Sequence, residues 1–127
     1  MIVRAMGLGF VLWLAVAAVF RFAGQAFFLP DERFVAFVSA PLVGVAAAFV
    51  MLKLLKEARG DEGEAAIGIA LPTLFFNGFM THEFATTLPN LDPTLDATFG
   101  AWSLLFAGSI LFMGLSMTKL APQDERL

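Results

Sequence analysis

Two groups of polar side chains stand out in an otherwise apolar chain of 127 residues, and they bound the chemistry open to it. Thr73, Asn77 and Thr81 recur at helical spacing, so two hydroxyls and an amide line one face of a helix directly after Pro72. Such a row can bond a neighbouring helix or a passing solute. Pro72 withdraws one backbone donor beside it and can kink the helix. The second group is Arg21, His82 and Glu83: a cation, an imidazole that titrates near neutral pH, and a carboxylate. His82 is the single histidine. Its functional options are a pH-sensitive group or an axial ligand to haem or a chlorin, and bis-histidine ligation would need a second subunit. An interfacial histidine without ligand duty is the plainer reading.

The elements that must position these groups are set by composition. Hydrophobic residues make up 59% of the chain and charged residues 15%, against roughly 25% charged in soluble domains. That excess has to face lipid. Four stretches carry no charge: 5–20, 34–52, 65–81 and 97–118. Each approaches the roughly 20 residues needed to cross about 30 Å of hydrocarbon. Continuous apolar runs exclude a β-barrel, which alternates, and leave helices as the way to satisfy the backbone. The fold expected is all-α and membrane-embedded: one domain of four transmembrane helices in an up-down-up-down bundle, with spans of about 4–28, 33–58, 63–87 and 94–119. Short loops predict that sequential helices are neighbours. Asp31, Asp61 and Asp92 are the expected N-caps, with Pro93 at a first helical position. The N-terminal segment has the look of a signal peptide, and we expect it to be retained as the first span.

Depth follows from helical rise. Arg21 lies roughly 25 Å from Arg4 and Glu83 roughly 28 Å from Glu64, so both reach the outer surface and an Arg21 to Glu83 ion pair is expected. Asn77 lies about 20 Å from Glu64, inside the bilayer, where an amide facing lipid is costly. Lys and Arg are asymmetric. Arg4, Lys53, Lys56, Arg59, Lys119 and Arg126 fall on one side, Arg21 and Arg33 on the other, which places both termini in the cytoplasm. Trp102 is expected in an outer aromatic belt. In the fourth span Gly100, Ala107 and Gly114 recur every seventh residue, with Ser103 between the first two. This small-residue seam predicts a close helix contact, tightest from Gly100 to Ala107 because Ile110 is bulky.

Several functions are excluded. There is no cysteine, so thiolate metal sites, disulfides and cysteine nucleophiles are absent, and a net charge of -3 offers nothing to nucleic acid. No nucleophile arrangement or dinucleotide fingerprint is present, so no enzyme is expected and no cofactor is required by the sequence. The segment Leu88-Pro89-Asn90-Leu91-Asp92-Pro93, then Phe99-Gly100-Ala101-Trp102, together with Gly7-Leu8-Gly9 and Leu12-Trp13-Leu14, resembles a family of small four-span bacterial membrane proteins known only as a domain of unknown function. The resemblance implies a fold and no activity. The leading expectation is an inner-membrane accessory or self-associating subunit whose partners are lipid and itself or another membrane protein. The alternatives are a small-solute or ion conduit along Thr73, Asn77 and Thr81, and a lipid or lipophilic-cofactor module at His82 and the outer phenylalanines.

Overall fold

The computed structural model describes residues 1–118. Lys119 and Arg126, counted in the charge asymmetry, and the last residue of the expected fourth span lie outside them. Four long helices are present: α1 (Ile2–Ala23), α2 (Arg33–Leu54), α3 (Glu62–His82) and α5 (Asp96–Met117), with a single turn α4 (Phe84–Thr87) after α3. No strand occurs among the described residues. With their flanking turns, the four are long and apolar enough to cross a membrane, over Ile2–Ala26, Pro30–Leu54, Glu62–His82 and Pro93–Met117. α3 runs through Pro72 without a break, and α2 through Pro41.

The helices do not pack in chain order. α3 and α5 form the centre, α1 lies against α3 and α2 against α5, while α1 and α2 barely touch. This corrects the expectation that short loops make every sequential pair neighbours. Small residues decide instead, because in lipid helices associate only where backbones come close enough for dispersion contacts. A Cβ placed on Gly9 would fall on the Ile69 carbonyl oxygen, and one on Gly68 would lie 2.8 Å from the Ala5 Cβ. Trp13 then reaches Asn77, so α1 and α3 run in the same direction. On the other flank, a Cβ on Gly44 would lie 2.7 Å from the Phe106 carbonyl oxygen, and Trp102 bonds Ser39, so α2 and α5 also run together.

The seam of α5 packs on α3, in the opposite direction. A Cβ on Gly114 would strike the Ala66 Cβ and lie 2.8 Å from the Glu62 carbonyl oxygen, whereas one on Gly100 would stand 3.2 Å from the Thr81 methyl. Ser103, Ala107 and Ile110 are all buried. The tightest approach is therefore at Gly114, not in the outer half. Ile110 does not hold the helices apart, and it is Thr81, β-branched, that sets the spacing at Gly100, while alanine faces Gly114. On the same helix Leu105 and Phe112 are exposed, 42% and 67%, as expected of a lipid face, but Trp102 is 4% exposed. The belt assignment for Trp102 is thus corrected: it belongs to the core.

The loops differ from the capping scheme at two points. Asp31 lies within a tight turn, Pro30–Glu32, and does not cap α2, while Asp61 precedes α3 without a side-chain cap bond. Gly60 has φ +92°, a conformation that suits glycine, and its N–H donates to Glu62 Oε1 at 3.0 Å. Asp92 does cap: its carboxylate accepts from the Thr94 N–H at 2.9 Å and hydroxyl at 2.7 Å, with Pro93 next in the turn leading to α5.

The glycines of α1 provide a direct check. Gly9→Ala should destabilise the protein by about 1 to 3 kcal/mol through overpacking against α3. Gly7→Ala, with nothing within 4 Å of the new Cβ, should be neutral or stabilising by up to about 1 kcal/mol. Thermal unfolding in mild detergent compares them, and equal effects would mean that α1 and α3 are not in backbone contact.

Candidate functional site

The polar face of α3 is spent on internal bonds. Thr73 is fully buried and its hydroxyl donates to the Ala70 carbonyl at 2.6 Å; the Thr81 hydroxyl donates to the Asn77 carbonyl at 2.7 Å. Both therefore turn back onto their own helix, the ordinary way for a hydroxyl in an apolar setting to satisfy itself. Asn77 is 3% exposed, and its Oδ1 accepts the Trp13 indole N–H at 3.1 Å across the α1–α3 contact. Trp13 stacks near Phe76 at 4.7 Å between centroids, and Phe76 meets Phe10 edge-on at 5.5 Å. Asn77 thus joins α3 to α1, while the two threonines are satisfied within α3.

Sequence reasoning missed Trp13 as the partner. The signal was present: an indole N–H in the middle of a span needs an acceptor, and few are available in hydrocarbon. Ser39 was missed for the same reason. Its hydroxyl donates to the Ala36 carbonyl at 2.7 Å and accepts the Trp102 N–H at 3.1 Å, which fixes α2 to α5.

The outer cluster separates in the structure. Glu83 Oε1 lies 3.6 Å from the neighbouring His82 Nε2, both side chains being largely exposed. Arg21 packs its guanidinium 5.7 Å from the Phe22 ring and makes no ion pair with Glu83. The expected pair is corrected accordingly: matched depth did not bring the two charges together, and Glu83, at the turn after α3, finds its neighbour first. No group of three or more histidine, aspartate and glutamate residues able to hold a metal occurs among the described residues.

The end of the bundle where α1 finishes and α5 begins is organised instead by aromatic packing. Phe20, near the end of α1, has Phe28, Phe99 and Trp102 around it at 5.1, 5.2 and 4.9 Å, all close to edge-on, and Trp102 stacks on Phe106 at 5.1 Å. The loop before α5 folds back over this cluster. Asn90 Nδ2 donates to the Phe20 carbonyl at 2.9 Å and to Gln25 Oε1 at 2.7 Å, and Leu91 fills the space beside Gly24. Asp92 in that loop is held below the usual carboxylate range, first by the Thr94 backbone N–H, then by the Thr94 hydroxyl and by the charge of Arg33.

One feature remains open. Because α1 and α2 do not close on each other, a groove of about 280 Å³ runs between them. Phe20 and Trp102 lie at its base, Val19, Phe27 and Val43 along its sides, and among the described residues of its lining Ser39 is the one with a hydroxyl or charged group. The Ser39 hydroxyl is already engaged on both sides, so the lining presents hydrocarbon and aromatic rings.

Four long apolar helices, packed by glycine and alanine contacts and joined by indole bonds to Asn77 and Ser39, define an α-helical protein of the multi-pass membrane class. A family model described as "Family of unknown function (DUF5367)" matches residues 27–121, and the chain belongs to that family. The match includes the Leu88 to Pro93 loop and Phe99 to Trp102, while the opening residues Gly7 to Leu14 lie before it. No curated protein and no solved structure matches the chain.

The Trp13 to Asn77 bond is open to a double-mutant cycle. Asn77→Leu and Trp13→Phe should each destabilise the protein, with a coupling energy of about 0.6 to 2 kcal/mol between them. Additive losses in thermal unfolding would show that the bond contributes nothing across α1 and α3.

Proposed function

We infer that the protein is a non-enzymatic, multi-pass protein of a bacterial inner membrane that holds a lipophilic molecule in the groove between α1 and α2. The observation that carries this reading is the groove itself: apolar, walled by two helices that leave it unclosed, and based on aromatic rings. Sites for small apolar molecules are concave and mostly hydrophobic, with few polar groups. Aromatic rings at the base favour a flat or unsaturated hydrocarbon portion through stacking and edge contacts. His82 does not line the groove, so this reading needs no ligand role for it.

The conduit reading has less support, because Thr73 and Thr81 bond their own helix and Asn77 is tied to Trp13. An accessory or self-associating subunit would use the same unclosed side, a partner helix taking the place of the molecule. Purification in mild detergent, followed by mass spectrometry of the organic extract, separates these readings. The parent should retain an apolar molecule, and Val43→Trp, which fills the groove, should lose it while keeping the parent's thermal stability. Retention of no apolar molecule by the parent would overturn the proposal. A co-purifying membrane protein or a dimer, lost in the same variant, would put the subunit reading in its place.

The orientation is part of this reading, with α1, α2, α3 and α5 crossing alternately and both termini cytoplasmic. It is supported by the excess of Lys and Arg at one end of the helices and by the pairwise helix directions. Cysteines introduced singly at Thr94 and Asp61 can be labelled in intact cells with an impermeant reagent. Labelling at Thr94 alone is expected, and labelling at Asp61 alone would reverse the orientation.

A further inference from the structure

At the end of the bundle where α2 gives way to α3, three cations converge. Lys53 in the last turn of α2, Lys56 in the tight turn Lys56–Ala58, and Arg59 just beyond it all line one pocket of about 80 Å³. Leu52, Leu55 and Met117 close its apolar side, and among the described residues Glu62 supplies the one carboxylate of the lining. That carboxylate is engaged: Oε1 accepts the Gly60 N–H, and Glu62 is 8% exposed. Among the described residues none of the three cations forms an ion pair, and Lys53 makes only a 5.4 Å approach to the Phe49 ring. Two further acids of the same connection, Asp61 and Glu64, line a different groove with Ile67 and Leu115.

Among the described residues of the lining, three positive side chains stand against one engaged carboxylate, an excess of positive charge. Like charges held this close repel, so the arrangement is relieved when an anion sits among them. The forked guanidinium of Arg59 and the two ammonium groups together offer donors in several directions, which suits an anion with several oxygens. The pocket also lies beside the start of α3, whose dipole favours negative charge there. Its level matters too. It forms where an apolar span ends, the depth at which a bilayer presents its phosphates, and its apolar side continues from the core.

We propose that Lys53, Lys56 and Arg59 form a binding site for a phosphate group. Two sources share that chemistry, a phospholipid headgroup and a soluble phosphoester, and the site is independent of the groove between α1 and α2.

Native mass spectrometry of the full chain in mild detergent tests this with three probes: phosphatidylglycerol, diacylglycerol and glycerol phosphate. The parent should bind phosphatidylglycerol and not diacylglycerol, which has the chains without the phosphate. Replacing all three cations by glutamine should weaken binding by about a hundredfold, roughly fivefold for each charge. Lys56→Arg, which keeps the charge, should bind as the parent does, and Arg21→Gln, a charge lost at the far end, should leave binding unchanged. Should glycerol phosphate compete as strongly as the lipid, the phosphate is that of a soluble phosphoester; if it does not, it is that of a headgroup. Equal binding of phosphatidylglycerol and diacylglycerol would overturn the proposal. So would equal binding by the parent and Lys56→Gln at matched thermal stability, or an equal loss in Arg21→Gln.

Discussion

Backbone contact between α3 and its two neighbours is the constraint from which the rest of the architecture follows. Hydrocarbon surrounding a helix is as apolar as leucine, so burying leucine against leucine yields little, and only approaches closer than side chains normally allow hold helices together. Gly9 on Ile69, Gly68 beside Ala5, and Gly114 on Ala66 supply those approaches on both sides of one helix. The consequence is visible in burial. α3 and α5 are the most enclosed spans and α1 the least. The helix with the weakest apolar character thus sits at the centre, with polar groups and small residues inside and the bulkier apolar surface of α1 and α2 outside.

Two indole bonds complement these contacts. Trp13 to Asn77 joins α1 to α3, and Trp102 to Ser39 joins α2 to α5. Each satisfies a donor that would otherwise be stranded in a medium without water, and each fixes the rotation of an outer helix against an inner one. The pairing has another consequence: Asn77 and Ser39, which could have lined a passage through the chain, are drawn into joining helices, while Thr73 and Thr81 bond their own helix.

Much of this was legible in the sequence, for physical reasons that can be named. Charge-free runs of bilayer length locate helices because no other structure satisfies a lone backbone in lipid, and the positions of Thr73, Asn77 and Thr81 on one inward face follow from spacing alone. The partners were less legible. Spacing shows that Asn77 must turn inward but not which helix it meets. Reading Trp102 as a belt residue relied on its nearness to a span end, whereas the bond to Ser39 and the ring of Phe20 decided its place. Likewise the seam through Gly100, Ala107 and Gly114 was apparent, but its tightest point depended on what α3 offers opposite, alanine at one end and threonine at the other. Arg21 and Glu83 share a depth, yet depth leaves azimuth undetermined, and the two charges do not pair.

The unclosed side between α1 and α2 has a bearing on how any occupant would be measured. With α1 and α2 crossing a bilayer, a cleft between them would open sideways into the hydrocarbon and not upward into water. A molecule entering it displaces lipid chains already there, so occupancy follows that molecule's mole fraction among the bilayer's components and not its aqueous concentration. Dilution into buffer would leave such a complex nearly intact, whereas adding detergent or bulk lipid would empty the cleft by competition. The same geometry makes saturation a property of membrane composition: a cell could fill or clear the cleft by changing which lipids it makes, with no change in the protein.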